Sequence, residues 1–253
     1  MLETAMSPKK EKTSLDSLTE ATRSRASFSG HGAALGAAGY RDSAHHPDNC
    51  AFLNDPGQSI AVTTGTGGFE SLMIGVAWDP IIKEDTSFLG KLLKKQKKNN
   101  VDLDIGCLYE LQNGQRGAIQ ALGNNKFGHF DQPPYIKLSG DERSGDVDGH
   151  DEYLTVNGAH WSDIKRILVY IYIYEGAPRW SIIKPQIIID VPGEDDLIVT
   201  LKAHDDALAL CAVGGLENIR GGIKLTNYTE YFPGHEEMDR AFGFGLEWDD
   251  GQK

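Results

Sequence analysis

Cysteine is scarce in this chain: Cys50, Cys107 and Cys211 are the only three in 253 residues, odd in number and far apart. That usage argues against a disulfide framework and fits a reducing compartment, and no Cys-x-x-Cys or Cys/His spacing offers a zinc site. Long apolar runs are missing as well. No stretch approaches the roughly 18 residues of a membrane-spanning helix. The opening MLETAMSPKKEKTSLDSLTE contains no apolar region of a secretory signal, so the expected location is the cytoplasm. Positive charge is in deficit, with 25 Lys and Arg against 37 Asp and Glu and a formal net charge of −12. Such a balance disfavours nucleic acid and anionic membrane as partners of the whole molecule and favours cations. Catalytic signatures are lacking too. GTGG at Gly65 to Gly68 has no downstream Gly-Lys-Ser/Thr and reads as a turn, and His129, His160 and His235 have no Ser or Cys nucleophile in a recognisable elbow.

A chain of this length buries a sizeable core without staples. Residues 1–50, rich in Ser, Gly and Ala, are expected to form a disordered arm, with His45 and His46 more at home in solvent than on a metal. Residues 51–253 read as one domain. QSIAVTT, LMIGVAW, VDLDIGCLYEL, YIKLSG, EYLTVNG, RILVYIYIYEG, IIKPQIIIDVPG, LIVTLK, ALALCAVGG and GIKLTNYTEYF are β-branched or alternating runs between turn signals. About ten short strands, with only WSDIKR as an obvious helical entry, predict an all-β fold, an antiparallel β-sandwich of two facing sheets. Cys107 and Cys211 fall within apolar strands and are expected in the core. KLLKKQKK, Lys91 to Lys98, carries five lysines and reads as a solvated or partner-contacting segment. Arg166 to Tyr174 is apolar on both faces, so its second face is expected to need cover from the arm, a loop or another subunit.

Negative charge is concentrated in two places. Gly140 to Glu152, GDERSGDVDGHDE, crowds six carboxylates beside one Arg, an arrangement that suits a hard divalent cation with many oxygen ligands. An EF-hand register fails, because Ser144 and Thr155 would occupy its first and twelfth positions. Read alone, the stretch is equally a solvated acidic loop. Asp102 and Asp104, in VDLDIG, stand at i and i+2, hence on one face of a strand with Leu103 and Ile105 on the other. Two like charges on one strand face favour a cation opposite them, and Asn124 and Asn125 add amide oxygens.

In order, GVAWD (Gly75 to Asp79), DLDIG (Asp102 to Gly106), GNNK (Gly123 to Lys126), the acidic stretch and WSDIKRILVYIYIYEG (Trp161 to Gly176) resemble the TerD-domain family of bacterial tellurium-resistance and general stress proteins. The ending GHEEMDRAFGFGLEW and the long basic insertion resemble its TerA branch. The resemblance covers about residues 52 to 248 and implies two facing sheets with calcium held by loops at one end. Carried over residue by residue, it implies that Asp102, Asp104, Asn124, Asp141, Asp146, Asp148, Asp151 and Glu152 hold calcium, with Asp79 a weaker candidate. His150 stands where the family has an acid, which leaves the ligand spacing open. The resemblance further implies a stress-response module that binds and assembles with related subunits or with itself, in a complex peripheral to the inner membrane face. It transfers no catalytic mechanism. The alternative is a metal-dependent enzyme acting on a phosphorylated metabolite through the acidic loop; the lack of a base, nucleophile or phosphate loop beside the acids favours binding.

Overall fold

The β-branched and aromatic runs become strands, because such side chains pack well on a pleated surface. The computed structural model describes residues 50–62, 68–78, 81–84, 96–99, 102–121, 127–139, 152–175, 179–190, 196–201 and 204–248. In chain order the strands are β1 (Cys50–Leu53), β2 (Ser59–Val62), β3 (Ser71–Ala77), β4 (Ile81–Glu84), β5 (Gln96–Asn99), β6 (Asp102–Leu111), β7 (Arg116–Ile119) and β8 (Gly128–His129). They continue with β9 (Ile136–Leu138), β10 (Glu152–Asn157), β11 (Ile164–Glu175), β12 (Gln186–Asp190), β13 (Asp196–Thr200), β14 (Leu210–Ile219) and β15 (Gly222–Phe232). A 3-10 turn spans Gly158–Asp163, α1 is the short Trp180–Ile183, and α2 is His235–Phe242.

One sheet runs β1-β13-β12-β3-β10-β9-β8 and the other β2-β15-β14-β11-β6-β7, while β4 and β5 pair separately. Among the described residues every pairing is antiparallel except β1 with β13. The expected all-β sandwich is therefore the observed one. Its interior is filled from both sheets. Leu72, Ile74 and Val76 of β3, Leu154 and Val156 of β10, and Ile187 and Ile189 of β12 meet Leu103, Ile105 and Cys107 of β6 and Val169, Ile171 and Ile173 of β11. Cys107 and Cys211 are both buried thiols, as expected, and burial pushes each far up from its ordinary pKa.

Three local readings differ. WSDIKR is a 3-10 turn that hands over to β11 at Ile164 rather than a helix of its own. Part of the lysine-rich segment, Gln96–Asn99, is a strand paired to Ile81–Glu84; lysines carry no strand signal, so the pairing is invisible in composition. The third difference concerns the outer face of β11. Leu168 and Tyr170 are covered by the chain's own C-terminal region, with Met238 of α2 and then Phe244, Leu246 and Trp248 closing a second apolar cluster over Leu108, Leu210, Ala212 and Phe232. Tyr174, at the far end of that face, is 43% exposed.

Candidate metal centre

Strand β6 alternates strictly. Its odd residues from Leu103 to Leu111 enter the sandwich core, so its even residues, Asp102, Asp104, Gly106, Leu108 and Glu110, occupy the outer face. The outer face is nonetheless closed to solvent: Asp102 is 8% and Asp104 3% exposed. Register sets Asp104 opposite Tyr172 and Asp102 opposite Glu175, both on β11. The paired acids thus share one buried face, as their spacing predicts, and present hard oxygen donors of the kind calcium takes.

Next to them Gly106 has a steric purpose. A Cβ there would come within 2.5 Å of the Tyr170 Cζ and hydroxyl oxygen, so glycine gives this phenol room to cross β6. The Tyr170 hydroxyl donates to Gln120 Oε1 at 2.7 Å. Burial above all, then the neighbouring Cys107 and Asp104 groups, raise this phenol well above its ordinary pKa, which keeps it a donor.

Glu152 approaches from the other sheet. It shares the inward face of β10 with Leu154 and Val156 and is fully buried. Its Oε2 accepts the backbone N–H of Ile105 at 2.9 Å. Strand β7 ends at Ile119, opposite Cys107, so Ile105 lies beyond the edge of that partner, and a side chain takes the place of a strand. This bond joins the two sheets at the end where β6 and β10 begin. Ser139 is at the same end, donating its N–H to the Tyr153 carbonyl at 2.9 Å.

Three of the eight residues expected to hold calcium are therefore located: Asp102 and Asp104 side by side on the outer face of β6, and Glu152 reaching β6 from the interior. Asn124, Asp141, Asp146, Asp148 and Asp151 lie outside the described residues, as do Asp79, His45, His46 and Lys91 to Lys95. Among the described residues no group of three or more His, Cys, Asp or Glu forms a metal cage. A full calcium shell, six to eight oxygens, must draw further donors from elsewhere in the chain or from water.

The same outer face holds a second polar centre that the sequence reading missed. Glu110, 3% exposed, accepts from Arg166 Nε at 2.6 Å, Lys165 Nζ at 2.8 Å and Arg116 Nη2 at 3.1 Å. Burial would raise its pKa, but the three cationic donors outweigh that and hold it down to about 2. The arginines also grip the C-terminal backbone: Arg166 donates to the Phe242 and Gly243 carbonyls and Arg116 to that of Phe244, with the Arg166 guanidinium 4.0 Å from the centre of the Phe244 ring. Asp239 of α2 completes the latch by accepting the N–H groups of Gly245, Leu246 and the Trp248 indole at 2.7–2.9 Å.

Over 154 residues, 60% of its length, the chain is 40% identical to the tellurium resistance protein TerA of an Alcaligenes species. Over 129 residues, 49% of its length, it is 31% identical to the stress response protein SCP2 of Bacillus subtilis strain 168. Its similarity to these two proteins supports a TerD-domain, TerA-like family. The chain spans 44% and 61% of those two relatives' own lengths. No family model matches it. Among solved structures, a homologue of the telluride resistance protein TerD from Streptomyces coelicolor A3(2) aligns over 68% of this chain and 95% of its own, with 15% identity and a TM-score of 0.44. A protein of unknown function aligns over 71% and 99%, with 17% identity and a TM-score of 0.46. No helix among the described residues of this TerA-like chain is long and apolar enough to cross a membrane.

Proposed function

We propose that this TerA-like chain is a stress-response module of the tellurium-resistance type that binds calcium and acts by assembling with related subunits rather than by catalysis. The observation that carries the reading is the burial of Asp102 and Asp104 on one strand face, at the end of the sandwich where Glu152 and Ser139 bracket the acidic stretch 140–151. The relatives' names, a tellurium resistance protein and a stress response protein, support the physiological setting and name no reaction. Calcium, when bound, supplies positive charge to a cluster of carboxylates that would otherwise repel one another. The chain's own part is to hold Asp102 and Asp104 on strand β6, paired to β11, and to fix Glu152 through Ile105, so that donors arrive already ordered.

Calorimetric titration of the chain with calcium and with magnesium tests this. Calcium is expected to bind with the greater affinity, because irregular coordination by many carboxylates suits it and magnesium insists on an octahedral shell and keeps its water. Native-state binding also stabilises, by about 2.7 kcal/mol at a hundredfold excess over Kd, so the melting temperature should rise with calcium and fall with chelator. Equal heats and midpoints for both ions, or no heat with either, would overturn the reading.

A further inference from the structure

We infer that Glu152 is a positioning residue of the calcium site, holding Asp104 in place through the backbone of Ile105 rather than supplying charge to the ion. The inference rests on the calcium reading above and gives this carboxylate a part other than the ligand role that the family resemblance implies.

The two edges of β6 are held unequally. Along one edge β11 pairs with it from Leu111 to Asp102, so the whole strand has a partner on that side. Along the other, among the described residues, β7 pairs only from Glu110 to Cys107. The Leu111 N–H points to this second edge, where it donates to the Gln115 carbonyl at 2.8 Å. Backbone direction alternates along a strand, so the Ile105 N–H points to the same edge, past the last residue that β7 reaches. A buried N–H in that position needs an acceptor. Glu152 Oε2 is that acceptor, at 2.9 Å, and Glu152 is fully buried.

What the bond holds is the peptide between Asp104 and Ile105, because this N–H lies in one rigid plane with the Asp104 carbonyl. Fixing that plane sets ψ of Asp104, while the pairing with β11 holds the strand from the other side. Together they set the direction in which the Asp104 side chain leaves β6. Glu152 does this from the opposite side of the strand: it shares the inward face of β10 with Leu154 and Val156, whereas Asp102 and Asp104 alternate with the core residues Leu103 and Ile105 and so occupy the outer face of β6. Without the bond, the stretch from Asp102 to Ile105 would be held along one edge only and would have to be ordered as the ion bound. Such ordering weakens affinity.

Two substitutions separate reach from charge. Glu152→Gln keeps the length and an acceptor oxygen and removes the charge, so calcium Kd is expected to stay within about twofold, with the Ile105 amide still protected from hydrogen exchange in the ion-free chain. Glu152→Asp keeps the charge and withdraws the oxygen by one methylene. Exchange protection at Ile105 should then fall about tenfold or more, and calcium Kd should rise roughly three- to tenfold, as for loss of one modest hydrogen bond. Exchange is read without calcium, so it reports the bond whatever happens to binding. A larger rise in Kd in Glu152→Gln with Ile105 still protected would overturn the inference and make Glu152 a ligand. An unchanged Kd in Glu152→Asp with Ile105 open to exchange would overturn it as well, since the bond would then serve the fold alone. Both results leave calcium binding standing. Absence of calcium binding by the unaltered chain would instead overturn the calcium reading, and the inference with it.

Discussion

The two ends of strand β6 present the same chemistry, a carboxylate on the buried outer face, in opposite settings. At the C-terminal end Glu110 is surrounded by cations of the chain itself, from Arg116, Lys165 and Arg166. At the N-terminal end Asp102 and Asp104 are nearly as buried, and β11 sets Glu175 and Tyr172 opposite them in register. Burying a carboxylate is costly unless it is paired. One end of the strand meets that requirement with side chains whose guanidinium groups also hold the C-terminal segment in place, so its purpose is structural. The other end sets two acids on one strand face beside Gly106 and Tyr170, and it is the end where we propose that calcium binds. The difference separates a latch from a site on one strand, only six residues apart.

The largest expected effect breaks the latch. Glu110→Ala removes the acceptor of three cationic donors and unseats Phe242 to Phe244, which the two arginines grip. Loss of one partner from a buried pair typically costs 3–5 kcal/mol, but Arg116 and Lys165 are 41% and 53% exposed and regain water. The net loss should be about 2 kcal/mol, a fall in melting temperature of roughly 4–8 °C for a chain of this size. Calcium affinity should stay within twofold. A large change in Kd would show that the two ends are not independent.

Asp104→Asn should give the converse result. It removes one hard anionic donor, so calcium Kd is expected to rise about tenfold or more, equivalent to roughly 1.4 kcal/mol, while the ion-free melting temperature holds or rises because one of two like charges has gone. Calorimetry and thermal melts on the same samples check both halves. A variant that melts much lower and still binds calcium normally would mean that Asp104, like Glu110, serves the fold.

Much of this strand was legible in advance, and the reasons differ by residue. The placement of Asp102 and Asp104 on one face follows from a period of two, a local property. That Glu152 points inward was legible too, from its alternation with Leu154 and Val156, but as the last acid of a crowded run it reads as part of a loop. The Glu110 cluster was not legible. Its cations come from residues 6, 55 and 56 positions away, and only the pairing of β6 with β11 and β7 assembles them. Helix α2 lay between these cases. HEEMDRAF is only two turns long, yet Glu236 and Glu237 in its first turn, Arg240 in its last and Gly243 as a left-handed cap are the ordinary marks of a helix.

The smallest expected effect is read in the pH dependence of stability on the latch side. Both Glu110 and His235 have a folded pKa below the unfolded one, so each contributes stability that is present above its unfolded pKa and is lost as pH falls toward its folded value. For Glu110 the window runs from the ordinary carboxylate value of 4.5 down to about 2. For His235, burial lowers the pKa from 6.5 to about 4, so its window opens higher. The rings that face this imidazole, Tyr170, Tyr172 and Trp248, bring no carboxylate to stabilise the protonated form. Between pH 6.5 and 5 the unfolded chain takes up a proton at His235 that the folded chain refuses, which costs at most about 1.4 kcal/mol per pH unit. The melting temperature should therefore begin to fall below pH 6.5, well above the window of Glu110. His235→Phe keeps an aromatic ring against Trp248 and should flatten the curve between pH 6.5 and 5, leaving the acid limb below pH 4.5 in place. If the variant and the unaltered chain trace the same curve down to pH 5, His235 is not held neutral beneath the latch, and the fall must be assigned to other groups, among them His204, whose pKa burial also lowers.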